Sequence, residues 1–416
     1  MTIKSLPPTP NTSWIKQVKE VSFNFDKMTS RLDKNSYKWE VGPGELPMWV
    51  ADMDFETSPA IVDALQKKLN HRIFGYATVP DTYYDAVAQW WAKRHQFSIQ
   101  KEWIMFCTGV VPAISSIVRK MTKVGDKVLI LAPVYNIFYN SIKNNQREVL
   151  GSDLVYDSHH YSIDFDDVEK KLADPDTTIM IFCNPHNPIG KVWDRQDLEK
   201  LGKLCVKHKV LILSDEIHCD LTHPGYRYIP FASVSEEIAQ NSITCVAPTK
   251  TFNLAGIQTS SIIVPNPEIR KLVHRSINTD EVAEPNAFAI EAAISAYTEG
   301  EPWLQALLDY LMTNKQYLEH FVVSQLPQLR VIHSEATYLA WIDCRTVTHD
   351  VNNLCKLIRE ETGLYVSEGT IYGGNGHEFI RLNYACPRER LVDGLQRLKK
   401  GVEVFQTYSS HVSNNK

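Results

Sequence analysis

SITCVAPTKTFNLAGIQ, residues Ser242–Gln258, opens as an apolar run that reads as a buried strand and stops at a lysine beside proline, threonine and a glycine-bearing turn. Such a lysine can carry its amine to water on an apolar stem, or it can be a reacting amine if other chemistry arrives at the same place. The surrounding pattern says where that place is. Upstream, WIMFC precedes a helix opening at TGVVPAISSIVRKM, and KVLILA precedes PVYNIFYNSIKNN. TTIMIFC precedes a turn and the helix DRQDLEKLGKLCVKHK, and KVLILS leads on to SITCVA. Short continuous apolar runs alternating with amphipathic helices predict an α/β fold, a mostly parallel sheet covered by helices on both faces.

The alternation begins near residue 60, where Ser58 and Pro59 start the helical SPAIVDALQKKLNHR. Beyond about residue 300 the pattern changes to long helical stretches and short strands such as ATYLAWIDC and EFIRLNYA, which predict a smaller α+β unit. The expected division is a large domain over 61–299 and a small domain built from 1–60 together with 300–416. At 416 residues the chain is past the size at which one core stops growing.

Composition narrows the function classes. Hydrophobic residues make up 44% and charged residues 22%, ordinary values for a globular protein. The net charge of −5 comes with no basic run interleaved with aromatics, so nucleic acid is not an expected partner. Eight cysteines stand singly without a C-x-x-C pair, which predicts reduced thiols in a cytoplasmic protein. No apolar segment approaches membrane-spanning length, and the opening MTIKSLPPTPNTSWIKQVKE has no apolar export core.

Open α/β sheets bind ligands beyond the carboxyl ends of their strands. Four runs end informatively there: IMFC delivers Thr108 and Gly109, TIMIFC delivers NPHNPIG, VLILS delivers Asp215 and Glu216, and ITCVAPT delivers Lys250. Each has a plain structural reading beside the functional one. Gly109 and Pro112 can simply start a helix, or that helix start can offer free N–H groups to a phosphate. NPHNP can be only a turn, and Asp215 can be a helix cap. PTKT lacks the glycines of a phosphate-binding G-x-x-x-x-G-K-T loop, the histidines of DEIHCDLTH lack the spacing of a zinc site, and YGGNGHE reads as a flexible loop.

Taken together, GVVPA, CNPHNPIG, SDEIHCD, PTKTFNLAG and FIRLNYA, in that order and spacing, resemble the fold type I pyridoxal-phosphate enzymes of the aspartate aminotransferase superfamily. NFDKMTSRLDKNSYKW, LPMWVADMDF and DEIHCDL resemble its cystathionine β-lyase and C–S lyase branch, of MalY/PatB type, over roughly residues 22 to 400. The resemblance implies pyridoxal 5'-phosphate as cofactor, with Lys250 as its covalent attachment. It implies that Asp215 faces the pyridine nitrogen, Asn187 donates to the phenolic oxygen and Tyr135 stacks on the ring. Gly109, Val110 and Thr249 are the implied phosphate contacts, and Arg381 the grip on the substrate α-carboxylate. Tyr76, in RIFGYATVPDTYYDAV, is either a core aromatic in a loop or the tyrosine that reaches the cofactor phosphate of the other subunit in a homodimer.

Two positions depart from aspartate aminotransferases: His218 stands where they carry a tyrosine and Gln258 where they carry a phosphate-binding arginine. Both leave cofactor binding intact and argue against an aspartate-type transaminase, and His218 remains among the expected cofactor contacts. The expectation is therefore a homodimeric C–S β-lyase whose substrate is an amino-acid thioether, cystathionine or a cysteine S-conjugate, and whose products are a thiol, pyruvate and ammonia. An aminotransferase of the same fold and a regulatory binding protein are the alternatives. The segment Trp49–Phe55 is either a strand exposing Asp52 and Asp54 or a cover over the substrate region, with Asp52 among the substrate contacts.

Overall fold

The computed structural model describes residues 23–414, with side chains through 408. The opening residues, and with them the reading of MTIKSLPPTPNTSWIKQVKE, lie outside the described residues. Helices α1 (Pro59–His71) and α2 (Asp81–His95) lead into a sheet of seven strands. These are β1 (Ile104–Cys107), β2 (Lys127–Ala132), β3 (Glu148–Asp153), β4 (Thr177–Cys183), β5 (Leu211–Asp215), β6 (Ser242–Val246) and β7 (Ser260–Ile263), in the order β1-β7-β6-β5-β4-β2-β3. β7 runs antiparallel to both its neighbours, β1 and β6, and the other pairs in the sheet are parallel.

Side chains alternate between the two faces of a strand, and here both faces are covered. Val128, Ile130, Ile179 and Ile181 pack with α3 (Val110–Met121). Their neighbours Leu129, Leu131, Met180 and Phe182 pack on the other side with Leu198, Leu201 and Cys205 of α4 (Arg195–His208). α5 (Pro267–Thr279) joins α3 through Val273 and Ile277. This double burial is why the strands read as unbroken apolar runs. β3 and β7 escaped the sequence reading because neither is such a run: EVLGSD is a half-exposed edge, and SSII is short and half polar.

A second sheet is antiparallel throughout, with strands β8 (Arg330–Val331), β9 (Leu339–Asp343), β10 (Ser367–Glu368) and β11 (Phe379–Asn383) in the order β8-β9-β11-β10. It is flanked by α6 (Glu301–Gln325), α7 (Val351–Thr362) and α8 (Arg388–Asn414). Leu46–Pro47 pairs in parallel with Leu364–Tyr365, which brings the N-terminal segment to this sheet. Trp341 of β9 and Phe379 of β11 stack at 5.0 Å and share an apolar cluster with Phe182 of β4, so the two sheets are packed together. Among the described residues no helix is long and apolar enough to cross a membrane.

Two local expectations are corrected. Trp49–Phe55 forms no strand, and Asp54 is buried; side chains from elsewhere in the chain bond most of the segment's main-chain carbonyls, and the Asp54 N–H donates to the Ala385 carbonyl at 2.9 Å. YGGNGHE is not a loose loop. Gly373 and Gly374 take positive φ values of 74° and 54°, open to glycine without strain. A Cβ on Gly374 would lie 2.9 Å from Pro133 N, so this turn is pressed against the end of β2.

Gly376 is tighter still, since a Cβ there would collide with the carbonyl oxygen of Gly369. Gly376→Ala should therefore lower unfolding stability by roughly 1–3 kcal/mol, the usual scale of overpacking. Gly75→Ala, which meets open space, should not. Denaturant midpoints of the two variants check this, and equal midpoints would mean the turn can relax.

Candidate active site

Four strand ends meet at one cavity of about 230 Å³. β1 contributes Thr108 and Gly109, the turn after β4 contributes Asn187, β5 and its turn contribute Asp215 and His218, and the turn after β6 contributes Thr249 and Lys250. Val110, Tyr135, Ala51 and Gln258 complete much of the wall. A more voluminous groove, about 570 Å³, lies by Glu102, Arg270 and His274, away from the strand ends. Convergence of polar groups, not size, marks the site.

Lys250 follows β6 because Pro248 starts a one-turn helix, Pro248–Thr251, that ends the strand and turns the lysine inward. Its Nζ donates to the Ala51 carbonyl at 2.5 Å. Burial lowers the amine to about 8, Arg381 adds to that, and the carboxylates of Asp52 and Asp215 oppose it. Asp215 is pushed up to about 7 by burial, against the pull of the Ile217 N–H and Lys250. Its side chain accepts one hydrogen bond among the described residues, from Ile217 N–H at 3.1 Å. A buried carboxylate so sparsely partnered becomes a stable anion only opposite a cation.

Arg381, on β11, is buried and spends its guanidinium on two acceptors. Nη1 donates to Asn187 Oδ1 at 3.1 Å and Nη2 to the Trp49 carbonyl at 2.8 Å. Arginine has only donors, so the Asn187 oxygen must face it, which leaves the amide NH₂ for the cavity. Arg381 Nε is buried without a partner among the described residues, an open position beside Nη2 that suits a carboxylate. The guanidinium stands 4.8 Å over the Tyr372 ring. His218 is buried with Nδ1 unpartnered; burial, Lys250 and Arg381 lower it to about 3, so the imidazole is neutral at ordinary pH. The Tyr135 phenol is pushed up to about 12, mainly by burial.

These groups fit pyridoxal 5'-phosphate. Lys250 offers an amine that is partly neutral near pH 7, as attachment to an aldehyde requires. Asp215 offers an anion for a protonated ring nitrogen, and Gly109 and Val110 offer the N-terminal N–H groups of α3 to a phosphate.

Three expected residues are not in the cavity wall: Arg381 stands behind Asn187, and Tyr76 and Asp52 lie elsewhere. Tyr76 is fully exposed, between α1 and α2, which overturns the reading as a core aromatic. Asp52 was expected to contact substrate, but its carboxylate is held by Arg31 through Nη1 at 3.1 Å and Nη2 at 2.6 Å, with Lys38 Nζ at 3.5 Å. It lines a neighbouring groove instead.

The sequence reading missed the Ala51 carbonyl, which also accepts from Tyr338 Oη at 3.0 Å, because a main-chain oxygen leaves no signature in residue types. It also missed a buried tie behind Lys250. Asp220 accepts from Trp90, His95 and Thr251, with Arg94 Nε at 3.1 Å. His95, Cys219 and Asp220 sit close enough to share an ion, yet Arg94 already supplies the cation at that carboxylate.

Because capture of an aldehyde needs the neutral amine, cofactor uptake by the cofactor-free protein should speed up about tenfold per pH unit below about 8 and level off above it. Stopped-flow absorbance across pH 6 to 10 reads this. A plateau reached only near pH 10.5 would mean the amine is not depressed.

The chain matches the family model "Aminotransferase class I and II" over residues 46–398. It is 42% identical to cystathionine beta-lyase PatB of Bacillus subtilis over 383 residues, covering 90% of this chain and 99% of that one. Cystalysin of Treponema denticola, solved with pyridoxal 5'-phosphate, superposes with a TM-score of 0.89 at 35% identity, covering 92% and 99% of the two chains. The PLP-bound C–S lyase of Staphylococcus hominis does so with a TM-score of 0.86 at 34% identity, covering 92% and 98%. With its strand-end cavity and these full-length matches, the chain belongs to the aminotransferase class I and II family.

Proposed function

We propose that this protein is a pyridoxal 5'-phosphate-dependent C–S β-lyase that cleaves cystathionine or a related cysteine thioether to a thiol, pyruvate and ammonia. The observation that carries the reading is Lys250, a buried amine lowered to about 8 in the cavity that Arg381 borders through Asn187. The relatives named cystathionine beta-lyase and C–S lyase support the substrate class.

When bound, the cofactor supplies a sink for the electron pair left at the substrate's Cα. Lys250 attaches it and, once displaced by the substrate amine, takes the α-proton as general base. Asp215 holds a proton on the ring nitrogen. Asn187, oriented by Arg381, would offer its amide NH₂ to the cofactor's phenolic oxygen, and Tyr135 and His218, which line the same cavity, would help hold the ring. Gly109, Val110 and Thr249 serve the phosphate. Arg381 holds the α-carboxylate so that the Cα–H bond points at Lys250. The Cβ–S bond then breaks, the sulfur leaves with the electron pair, and the remaining fragment hydrolyses to pyruvate and ammonia.

The working enzyme is proposed to be a homodimer in which Tyr76 completes the partner's site. Its full exposure together with exposed Ile73 and Phe74 supports that reading. The pairing of Leu46–Pro47 with Leu364–Tyr365 supports a small domain of 1–60 with 300–416 beside a large domain of 61–299. Eight free, buried cysteines support a reducing, cytoplasmic setting.

Incubation with cystathionine should yield pyruvate, ammonia and free thiol in equal amounts with no keto acid added. A requirement for a keto-acid acceptor would replace the lyase by an aminotransferase. Asp215→Asn should retain cofactor but lose about 10³-fold in kcat, and near-normal turnover would remove Asp215 from the role given it. Arg381→Lys should lower kcat/KM by about 10²-fold, since a point charge cannot replace a planar fork. Dilution to the monomer should abolish activity, and a fully active monomer would exclude a shared site.

A further inference from the structure

The segment Trp49–Phe55 is neither strand nor surface, and its main chain touches both cations of the site. The Trp49 carbonyl accepts from Arg381 Nη2 at 2.8 Å and the Ala51 carbonyl from Lys250 Nζ at 2.5 Å. The segment is tied at every step. Asn383 Nδ2 donates to the carbonyls of Val50 and Asp52, each at 2.6 Å. Asn253, three residues after Lys250, accepts from Met53 N–H at 3.0 Å and donates to the carbonyls of Met53 and Phe55 at 3.0 and 2.9 Å.

What holds the segment from outside is Asp54, only 3% exposed. Its carboxylate accepts from Arg31 Nη1 at 2.9 Å, Trp39 Nε1 at 3.0 Å and Lys38 Nζ at 3.2 Å, and Arg390 Nη1 lies 3.0 Å away. Burial pushes the carboxyl up, but Lys38, Arg390, Trp39 and Arg31 together outweigh it and hold it below the usual carboxylate range. Two anions, Asp52 and Asp54, face three cations, Arg31, Lys38 and Arg390. A buried array of this kind is costly to desolvate and is a weak source of net stability, but it fixes one geometry.

We propose that Asp54 is a positioning residue for proton transfer: by clamping the strap it keeps the Ala51 carbonyl against Lys250 Nζ, so that the freed amine stays directed at the substrate's Cα. The neutral amine has two N–H groups and one lone pair, which rotation about the Cε–Nζ bond can turn away from the substrate. One N–H held by a fixed acceptor removes much of that freedom, and a 1 Å error in such a contact costs on the order of 10²-fold in rate. This rests on the reading of Lys250 as general base, and it assigns the clamp to residues that touch neither substrate nor cofactor.

The test uses the holoenzyme and L-alanine, which has no β-leaving group, in D₂O. The Cα–H bond breaks with its proton passing to Lys250 Nζ, the amine exchanges with solvent, and a deuteron returns to Cα; NMR of the α-proton reads the rate. Asp54→Asn, shown by circular dichroism and visible absorbance to be folded and cofactor-loaded, should exchange about thirtyfold more slowly at saturation, with KM for alanine changed less than about threefold. A general loosening would move KM and cofactor content as well. Exchange within about threefold of wild type in a folded, loaded Asp54→Asn would overturn the proposal. Should that variant fail to fold, Arg31→Met decides. It removes one partly exposed donor, should slow exchange about threefold to tenfold, and overturns the proposal if the rate is unchanged. Wild-type enzyme that exchanges alanine's α-proton yet releases no pyruvate from cystathionine would sink the lyase assignment while leaving the positioning role standing, and absence of exchange in wild type would overturn both.

Discussion

A lysine amine withdrawn from water is the constraint on which the site depends. In solvent its affinity for a proton would keep it an inert cation at neutral pH. Burial changes that, and the fold has to bury it without leaving its N–H groups unpaired. The Ala51 carbonyl takes one of them. That carbonyl belongs to a segment 199 residues earlier in the chain, so the chemistry of Lys250 cannot be separated from how the N-terminal segment is laid across the sheet's carboxyl edge.

The rest of the structure arranges partners for that crossing. The parallel sheet, apolar on both faces, makes a rigid floor and delivers Gly109, Asn187, Asp215 and Lys250 to one edge. The antiparallel sheet delivers Arg381, whose guanidinium joins the two sheets through Asn187 and the strap through Trp49. On the far side of Lys250, Thr251 is bonded to Asp220, itself tied to α2 through Trp90 and His95. The lysine turn is thus held from in front by main-chain and amide contacts and from behind by a saturated carboxylate.

Electrostatics in this cavity are unbalanced in a way that a ligand can correct. Among the described residues the Asp215 carboxylate accepts one hydrogen bond, and Arg381 Nε and His218 Nδ1 have no partner. Buried polar atoms left without partners are uncommon because each costs free energy. Others stand elsewhere, at Thr244, His186 and Arg390 among them, but Asp215 and His218 line the cavity of Lys250 and Arg381 stands just behind Asn187, where a bound molecule can partner them.

Much of this could be read from the sequence. The apolar runs specify the strands because residues buried on both faces of a sheet must all be apolar, and the residues just after those runs must then lie at one edge. Lys250, Asp215, Gly109 and the NPHNPIG turn are legible in this way, and the resemblance adds the choice of Asn187 within that turn and Arg381. What is not legible is a role set by a side-chain partner outside the local pattern. Asp52 and Asp54 looked alike in WVADMDF, two acids two residues apart, and only the fold gives Asp52 to Arg31 and buries Asp54 among Arg31, Lys38, Trp39 and Arg390. Tyr76 could be read as a core aromatic or as a residue reaching the other subunit, and its exposure removes the first of these. Strands and their ends follow from local periodicity, which the sequence alone determines. Which acid is buried follows from partners 15 to 23 residues back in the chain together with Arg390, and which carbonyl meets the reacting amine from a contact across 199 residues; no local periodicity encodes either, and only the tertiary structure decides them.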